Sequence, residues 1–315
     1  MRALITGGGG FVGQAVVRML VARGVECAVV GRRNYPSLER LGVTLFRGDI
    51  QDKHFLIRVF KGYDTAFHVA AKAGIWGPRQ EYEAVNVGGT ANVIDACRAN
   101  KVRSLIYTST PSVVFNHADI NGGDESLPYG KAFLCHYAET KARAEQLVLA
   151  ANSAVLRTCA LRPHLIWGPG DPHLIPRLLD RGRRRLLRRV GDGSNLVDIS
   201  YIENVAEAHL LAADNLISSA TAAGNAYFIS QGKPVNLWNW INDLFRRLEI
   251  PAVDAAIGFR AAYTVGGVLE WIYRLGRISS EPSMTRFLAE QLARSHWFST
   301  TTNPVAYSCV SRPIV

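Results

Sequence analysis

The sequence predicts an α/β fold on a doubly wound parallel sheet with a smaller C-terminal lobe. Three observations carry this. An apolar run beginning at the first residues breaks into glycines and leads into a helical pattern. Strand-length apolar runs then alternate with helix-period segments as far as Thr108. Beyond Gly170 helical segments predominate.

The first element reads Thr6-Gly7-Gly8-Gly9-Gly10-Phe11-Val12-Gly13. Gly7 permits a sharp exit from a strand, Gly10 lets backbone approach a pyrophosphate, and Gly13 lets the helix pack closely on the sheet. The helix N-terminus, opened by Phe11 and Val12, offers free N–H groups and a positive dipole end to phosphates. This is the strand, turn and helix of a Rossmann-type dinucleotide site. Its glycines are spaced three and three, one residue longer than the familiar two-and-three fingerprint.

Val12 to Arg23 is helical and stops at Gly24, and Glu26 to Val30 is the second strand. An acidic residue after that strand would hold the ribose hydroxyls of NAD. Here Gly31-Arg32-Arg33 follows, which suits the 2′-phosphate of NADP(H), with a pair of surface-loop arginines and NAD(H) as the alternative. A third strand, Val43 to Arg47, leads to Asp49-Ile50, and a fourth, Thr65 to Val69, to Ala70-Ala71. These ends share the carboxyl edge of the sheet, where ligands bind. Asp49 suits either the adenine amino group or the cap of a helix beginning near Asp52. His68, inside an apolar strand, reads as a satisfied core residue. Arg79 to Asn100 reads as one long helix with Val85, Val93, Ile94 and Cys97 inward, where Asn86 and Gly88-Gly89 point to a bend or close packing.

Strand five, Ser104 to Thr108, runs into Ser109-Thr110. After a loop from about Phe115 to Lys131 comes a helix with Tyr137 and Lys141 on one face. A free tyrosine has a pKa near ~10, and an ammonium beside it would favour the phenolate. The pair therefore suits proton transfer to or from a substrate oxygen, with Thr110 holding a carbonyl and Tyr137 protonating the developing alkoxide. A non-catalytic NADP sensor on the same fold would have no need of that proton donor.

Residues 1–170 form the NADP-binding domain, with contributions from about 197–230, and 171–315 form mainly the substrate lobe. Ile175 to Leu187, Tyr201 to Ile217 and Leu237 to Leu248 read as helices and Ala226 to Ser230 as a strand. Ala261 to Leu275 is apolar but too short to span a bilayer, and reads as a lid, a surface for lipid or a partner enzyme, or a core helix. The tail from Ser299 lacks acidic residues and helical period, consistent with a divergent or frame-shifted end.

Composition narrows the function classes. The 315 residues are 48% hydrophobic and 20% charged, as expected of a soluble α/β enzyme. Five cysteines without a Cys-x-x-Cys pair, and eight histidines without a His-Glu-x-x-His, indicate neither disulfide framework nor metal catalysis. The strand begins at once, without a basic segment leading an apolar one, so a cytoplasmic location is expected. Much of the net charge of +10 lies among Arg177, Arg181, Arg183, Arg184, Arg185, Arg188 and Arg189. No aromatics interleave there, so a solvated helix face is favoured over nucleic-acid binding.

Taken together, these segments resemble the extended short-chain dehydrogenase/reductase family. The resemblance also draws on Asn86-Val87-Gly88-Gly89-Thr90 and on Leu161-Arg162-Pro163 running to Gly170, and covers residues 1 to about 298. Tyr107 to Val114 and Ala71 to Gly77 are similar to the 3β-hydroxysteroid dehydrogenase branch. With Thr285 to Gln291 they are similar to the 2-alkyl-3-oxoalkanoate reductases of bacterial long-chain olefin synthesis. The resemblance implies Tyr137 as acid/base, Lys141 as its electrostatic partner and ribose ligand, Thr110 as the carbonyl-orienting hydroxyl, and Thr108, Pro163, Leu165 and Ile166 along the cofactor. It implies a hydrophobic β-keto acid or a steroid as substrate, a substrate-side place for Tyr201 and Asn204, and a homodimer formed through the helices of Asn86 and Tyr137. Peripheral contact with a membrane or with pathway enzymes fits such substrates.

Overall fold

A computed structural model describes residues 1–299; the tail expectation lies almost wholly outside them. Seven parallel strands form the main sheet: β1 (Arg2–Thr6), β2 (Glu26–Gly31), β3 (Thr44–Arg47), β4 (Thr65–His68), β5 (Ser104–Thr108), β6 (Arg157–Pro163) and β7 (Ala226–Ile229). Their order is β7-β6-β5-β4-β1-β2-β3, so the chain reverses direction across the sheet between β1 and β4. That reversal opens a crevice at the carboxyl edge. Register aligns Thr6 with His68 and His68 with Tyr107, bringing the ends of β1, β4 and β5 level.

Both faces are covered. Helix α1 (Phe11–Ala22) and a helix at Ile202–Ile217 pack Val16, Leu20, Val205 and Leu210 on one face. Helices at Lys53–Val59, Gly89–Ala99 and His136–Ala150 pack Leu56, Val93, Ile94 and Val148 on the other. Burial of this kind, at roughly 25 cal/mol per Å² of apolar surface, is the main force holding the layers. The lobe has its own core, with Trp238, Ile241 and Phe245 against Ala262 and Ala289.

Three differences from the sequence reading have local causes. The long helix is interrupted: Arg79–Tyr82 passes through a π-helical turn, Glu83–Gly88, before Gly89–Ala99 resumes. Asn86 sits in that turn, and Val85 is only half-buried. The loop between strand five and the next helix contains a short strand, Ile120–Gly123, beside His296–Phe298 in a four-stranded sheet. The apolar segment forms the helix Phe259–Leu275 at the surface, with Trp271 64% exposed, which overturns the core-helix alternative.

Candidate active site

The glycine turn is shaped by two close approaches. Gly7 has φ +72°, and a Cβ there would lie 2.6 Å from the Ala70 nitrogen. A Cβ on Gly13 would lie 2.2 Å from the Gly7 oxygen, so only glycine lets α1 start this close to the turn. Gly10 caps α1 without a side-chain bond to its first-turn N–H groups.

In front of this turn is a cavity of about 510 Å³ along the carboxyl edge. Gly7, Gly10, Phe11, Val12 and Arg32 line it from β1, α1 and β2. Asp49, Ile50, Ala70 and Ala71 follow from the ends of β3 and β4. Thr108, Thr110, Tyr137, Lys141, Pro163, Leu165 and Ile166 also line it. Gly13 packs against the Gly7 carbonyl and Arg33 is exposed, and neither is part of the cavity wall. Arg32 is exposed at the rim and makes no ion pair among the described residues.

The choice left open for Asp49 resolves in part. Asp52 caps the helix Lys53–Val59, accepting from the Phe55 N–H at 2.9 Å, while the Asp49 carboxylate accepts from the Gln51 N–H at 3.0 Å. His68 is fully buried, with Nδ1 2.7 Å from the Thr6 hydroxyl and Nε2 2.9 Å from the Thr90 hydroxyl. Thr90 donates onward to the Asn86 carbonyl, so Thr90 accepts from a protonated Nε2. Burial, with Lys141 adding to it, pushes the imidazole down to about 3, and it stays neutral.

Lys141 is buried, and its Nζ donates to the Thr108 carbonyl at 2.6 Å while lying 4.0 Å from the centre of the Tyr107 ring. Burial pulls its pKa down to about 7 against the pull of the Glu145 carboxylate. Tyr137 departs from expectation. Burial, reinforced by the Cys135 thiol, pushes its phenol up to about 12, although a hydrogen bond with Thr110 works the other way. Desolvation of the phenolate is the largest influence, while the Lys141 Nζ is engaged by the Thr108 carbonyl. Tyr137 therefore holds its proton at neutral pH, the state a proton donor needs.

Several lining residues carried no sequence signal. Tyr35 stands over the turn, its ring only 2.0 Å from where a Cβ on Gly9 would be. Ser109, which the hydroxyl run after strand five did include, has a buried hydroxyl without a partner among the described residues. Asp171 caps the helix Leu174–Arg183 through Ile175 N at 2.8 Å and brings His173 and Leu174 to the cavity. Leu165, expected there, is in the left-handed region at φ 38°, a conformation that leucine rarely adopts and that needs surrounding structure to hold it. Tyr201 packs on Trp167, ring centres 5.4 Å apart, outside this cavity. In the arginine-rich stretch, Arg177 pairs with Glu281 and Arg184 with Asp180, while Arg183, Arg185 and Arg188 are exposed.

Comparison with known proteins shows the family of the chain. Residues 4–257 match the model of the 3-beta hydroxysteroid dehydrogenase/isomerase family. A 2-alkyl-3-oxoalkanoate reductase of Stenotrophomonas maltophilia is 50% identical over 301 residues, covering 95% of this chain and 91% of that protein. The mouse sterol-4-alpha-carboxylate 3-dehydrogenase, decarboxylating, is 33% identical over 303 residues, covering 95% and 83%. Among solved structures, the UDP-glucose 4-epimerase of Thermus thermophilus in complex with NAD superposes with a TM-score of 0.68 at 26% identity, covering 82% of this chain and 86% of that one. The chain belongs to the 3-beta hydroxysteroid dehydrogenase/isomerase family of nicotinamide-dependent oxidoreductases.

Proposed function

We propose that the protein is an NADP(H)-dependent reductase converting a long-chain 2-alkyl-3-oxoalkanoic acid to its 3-hydroxy acid. The observation that carries this is a half-buried, protonated Tyr137 beside Thr110 and Lys141 along a cavity that also contains a glycine turn, with Arg32 at its rim. The 50% identity to a reductase of that name supports the substrate.

The cavity suits a dinucleotide. Gly10 has no side chain over the uncapped start of α1, and among the described residues the Ser109 hydroxyl has no partner and Arg32 no competing carboxylate. Gly10, Arg32, Asp49 and Lys141 would hold NADPH, which when bound supplies the hydride. On the protein side, Thr110 orients the ketone oxygen and Tyr137 gives it a proton as negative charge develops there. When protonated, Lys141 favours the phenolate left behind in the transfer. The helices of Asn86 and Tyr137 are the proposed contact of a homodimer, testable by sedimentation equilibrium.

A second reading, dehydrogenation of a sterol 4-carboxylate, draws on the 33% identity to the mouse enzyme. In both reactions the keto group lies β to a carboxylate. Rates with a 2-alkyl-3-oxoalkanoic acid and NADPH, and with a sterol 4-carboxylate and NADP⁺, distinguish the readings. Turnover of the keto acid, lost by at least about a hundredfold in Tyr137→Phe, is expected. A folded, NADPH-binding wild type that turns over only the sterol would refute the first reading.

A further inference from the structure

We propose that the exposed apolar stripe of the helix Phe259–Leu275, with the arginines beside it, is a docking surface for an anionic phospholipid bilayer. Val265, Val268, Trp271, Ile272 and Leu275 are all exposed, with Leu275 71% open, and Ile278 continues the patch. At 100° per residue the five helical positions span an arc of about 120°. The opposite face is fixed inward. A Cβ on Gly266 would lie 2.6 Å from the Thr285 backbone, and the buried Glu270 is held by Arg286 through Nε at 3.0 Å and Nη2 at 2.8 Å. The helix is thus locked in the rotation that leaves its apolar stripe facing out.

Charge selects the occupant. Between Phe259 and Ile278 the only acidic residue is the buried Glu270, whereas Arg260, Arg274 and Arg277 are exposed. An apolar face with an aromatic anchor and a basic edge suits the boundary of an anionic leaflet. The helix has 17 residues, and no helix among the described residues is long and apolar enough to cross a membrane, so it would lie on the surface.

The surface adjoins a second cavity of about 720 Å³. Tyr273, Arg277 and Ile278 line it from the helix end, and Cys135 and His136, just before Tyr137, line it from the site side. Docking here would put an amphiphile dissolved in the bilayer beside that cavity.

The test is co-sedimentation of the full chain with vesicles of phosphatidylcholine alone and of phosphatidylcholine with phosphatidylglycerol. Pelleting is expected with the anionic vesicles only, weakening at high salt. Trp271→Glu with Leu275→Glu should raise the lipid needed for half-binding at least about tenfold, with unchanged melting temperature. Should that variant unfold, Arg260→Glu with Arg277→Glu probes the same surface and should show the same loss. Absence of binding by the wild type, equal binding to both vesicles, or wild-type binding by folded variants would overturn the proposal. So would a stripe that governs self-association in gel filtration while the wild type ignores vesicles. Vesicle binding involves no turnover, so this inference and the catalytic reading fail separately.

Discussion

Asn86 donates from Nδ2 to the Thr140 hydroxyl at 3.0 Å, joining the π-helical turn to the helix that carries Tyr137 and Lys141. Its Oδ1 accepts from the Lys72 N–H at 2.7 Å, so one amide also holds the segment after β4. Asn86 is buried within the π turn. Asn86→Ala leaves a Lys72 N–H unpaired and is expected to cost about 1–3 kcal/mol of stability. Because the amide positions the helix of Tyr137, kcat should fall about tenfold or more with NADPH affinity little changed. Asn86→Asp keeps the acceptor for the Lys72 N–H and loses the Nδ2 donor to the Thr140 hydroxyl and to the Lys72 carbonyl at 3.2 Å. Steady-state kinetics beside calorimetry separates the two contributions, and unchanged kcat in both variants would remove the positioning role.

Arg32 and Arg33 give a second comparison, since one lines the cavity and its neighbour does not. A guanidinium on a 2′-phosphate makes charge-assisted bonds that NADH cannot reproduce. Arg32→Ala should raise the KM for NADPH about tenfold or more and leave that for NADH unchanged, whereas Arg33→Ala should change either by less than about twofold. Equal losses for both cofactors in Arg32→Ala would mean that the arginine does not read the phosphate.

How far the site was legible follows from which residues have a chemical reason to recur. The glycine turn, Thr110, Tyr137 and Lys141 each serve a task that few residue types can perform, and the alternation of strands and helices fixes which edge they share. Tyr35 lines the same cavity, yet any side chain of suitable size could stand in a short loop, so its spacing is silent. The π turn depends on tertiary packing around Asn86 and has no period of its own to read. Residue spacing put an ammonium near Tyr137, but the pKa of that phenol follows from burial, which spacing does not report.

Beneath the site, Arg162 and Glu145 form an ion pair almost sealed from solvent, joined at 2.6 Å, with the Tyr129 hydroxyl donating to the same carboxylate at 2.8 Å. Removing one partner strands a buried charge. Glu145→Ala should destabilise the fold by about 3–5 kcal/mol, while a double replacement of Glu145 and Arg162 by Met should recover most of that loss. Denaturant midpoints check the pair, and a Glu145→Ala loss below about 1 kcal/mol would argue that water reaches it.

Asp198 gives the stability a pH dependence of definite sign. Burial pushes its carboxyl up to about 7, against the stabilising Phe298 N–H at 2.7 Å. The unfolded carboxyl has a pKa near ~3.9, so from about pH 4 to 7 the folded state binds more protons than the unfolded one. Its contribution to stability is therefore full below pH ~4 and is lost as pH rises through about 7, by up to roughly 4 kcal/mol. Neighbouring His164, which bonds the Asp198 carbonyl at 2.7 Å and is pushed down to about 3 by burial, acts in the opposite direction. It contributes fully above the ordinary imidazole pKa of ~6.5 and loses stability as pH falls. His296, whose carbonyl accepts from the Asp198 N–H and whose pKa burial also lowers, has the same sign. The carboxyl is isolated by comparing the wild type with Asp198→Asn, which keeps an acceptor for Phe298. The wild type should gain most relative to the variant near pH 5 and least near pH 8, read as the difference in unfolding midpoint. A difference that stays flat across that interval would mean that Asp198 is ionised in the folded state throughout.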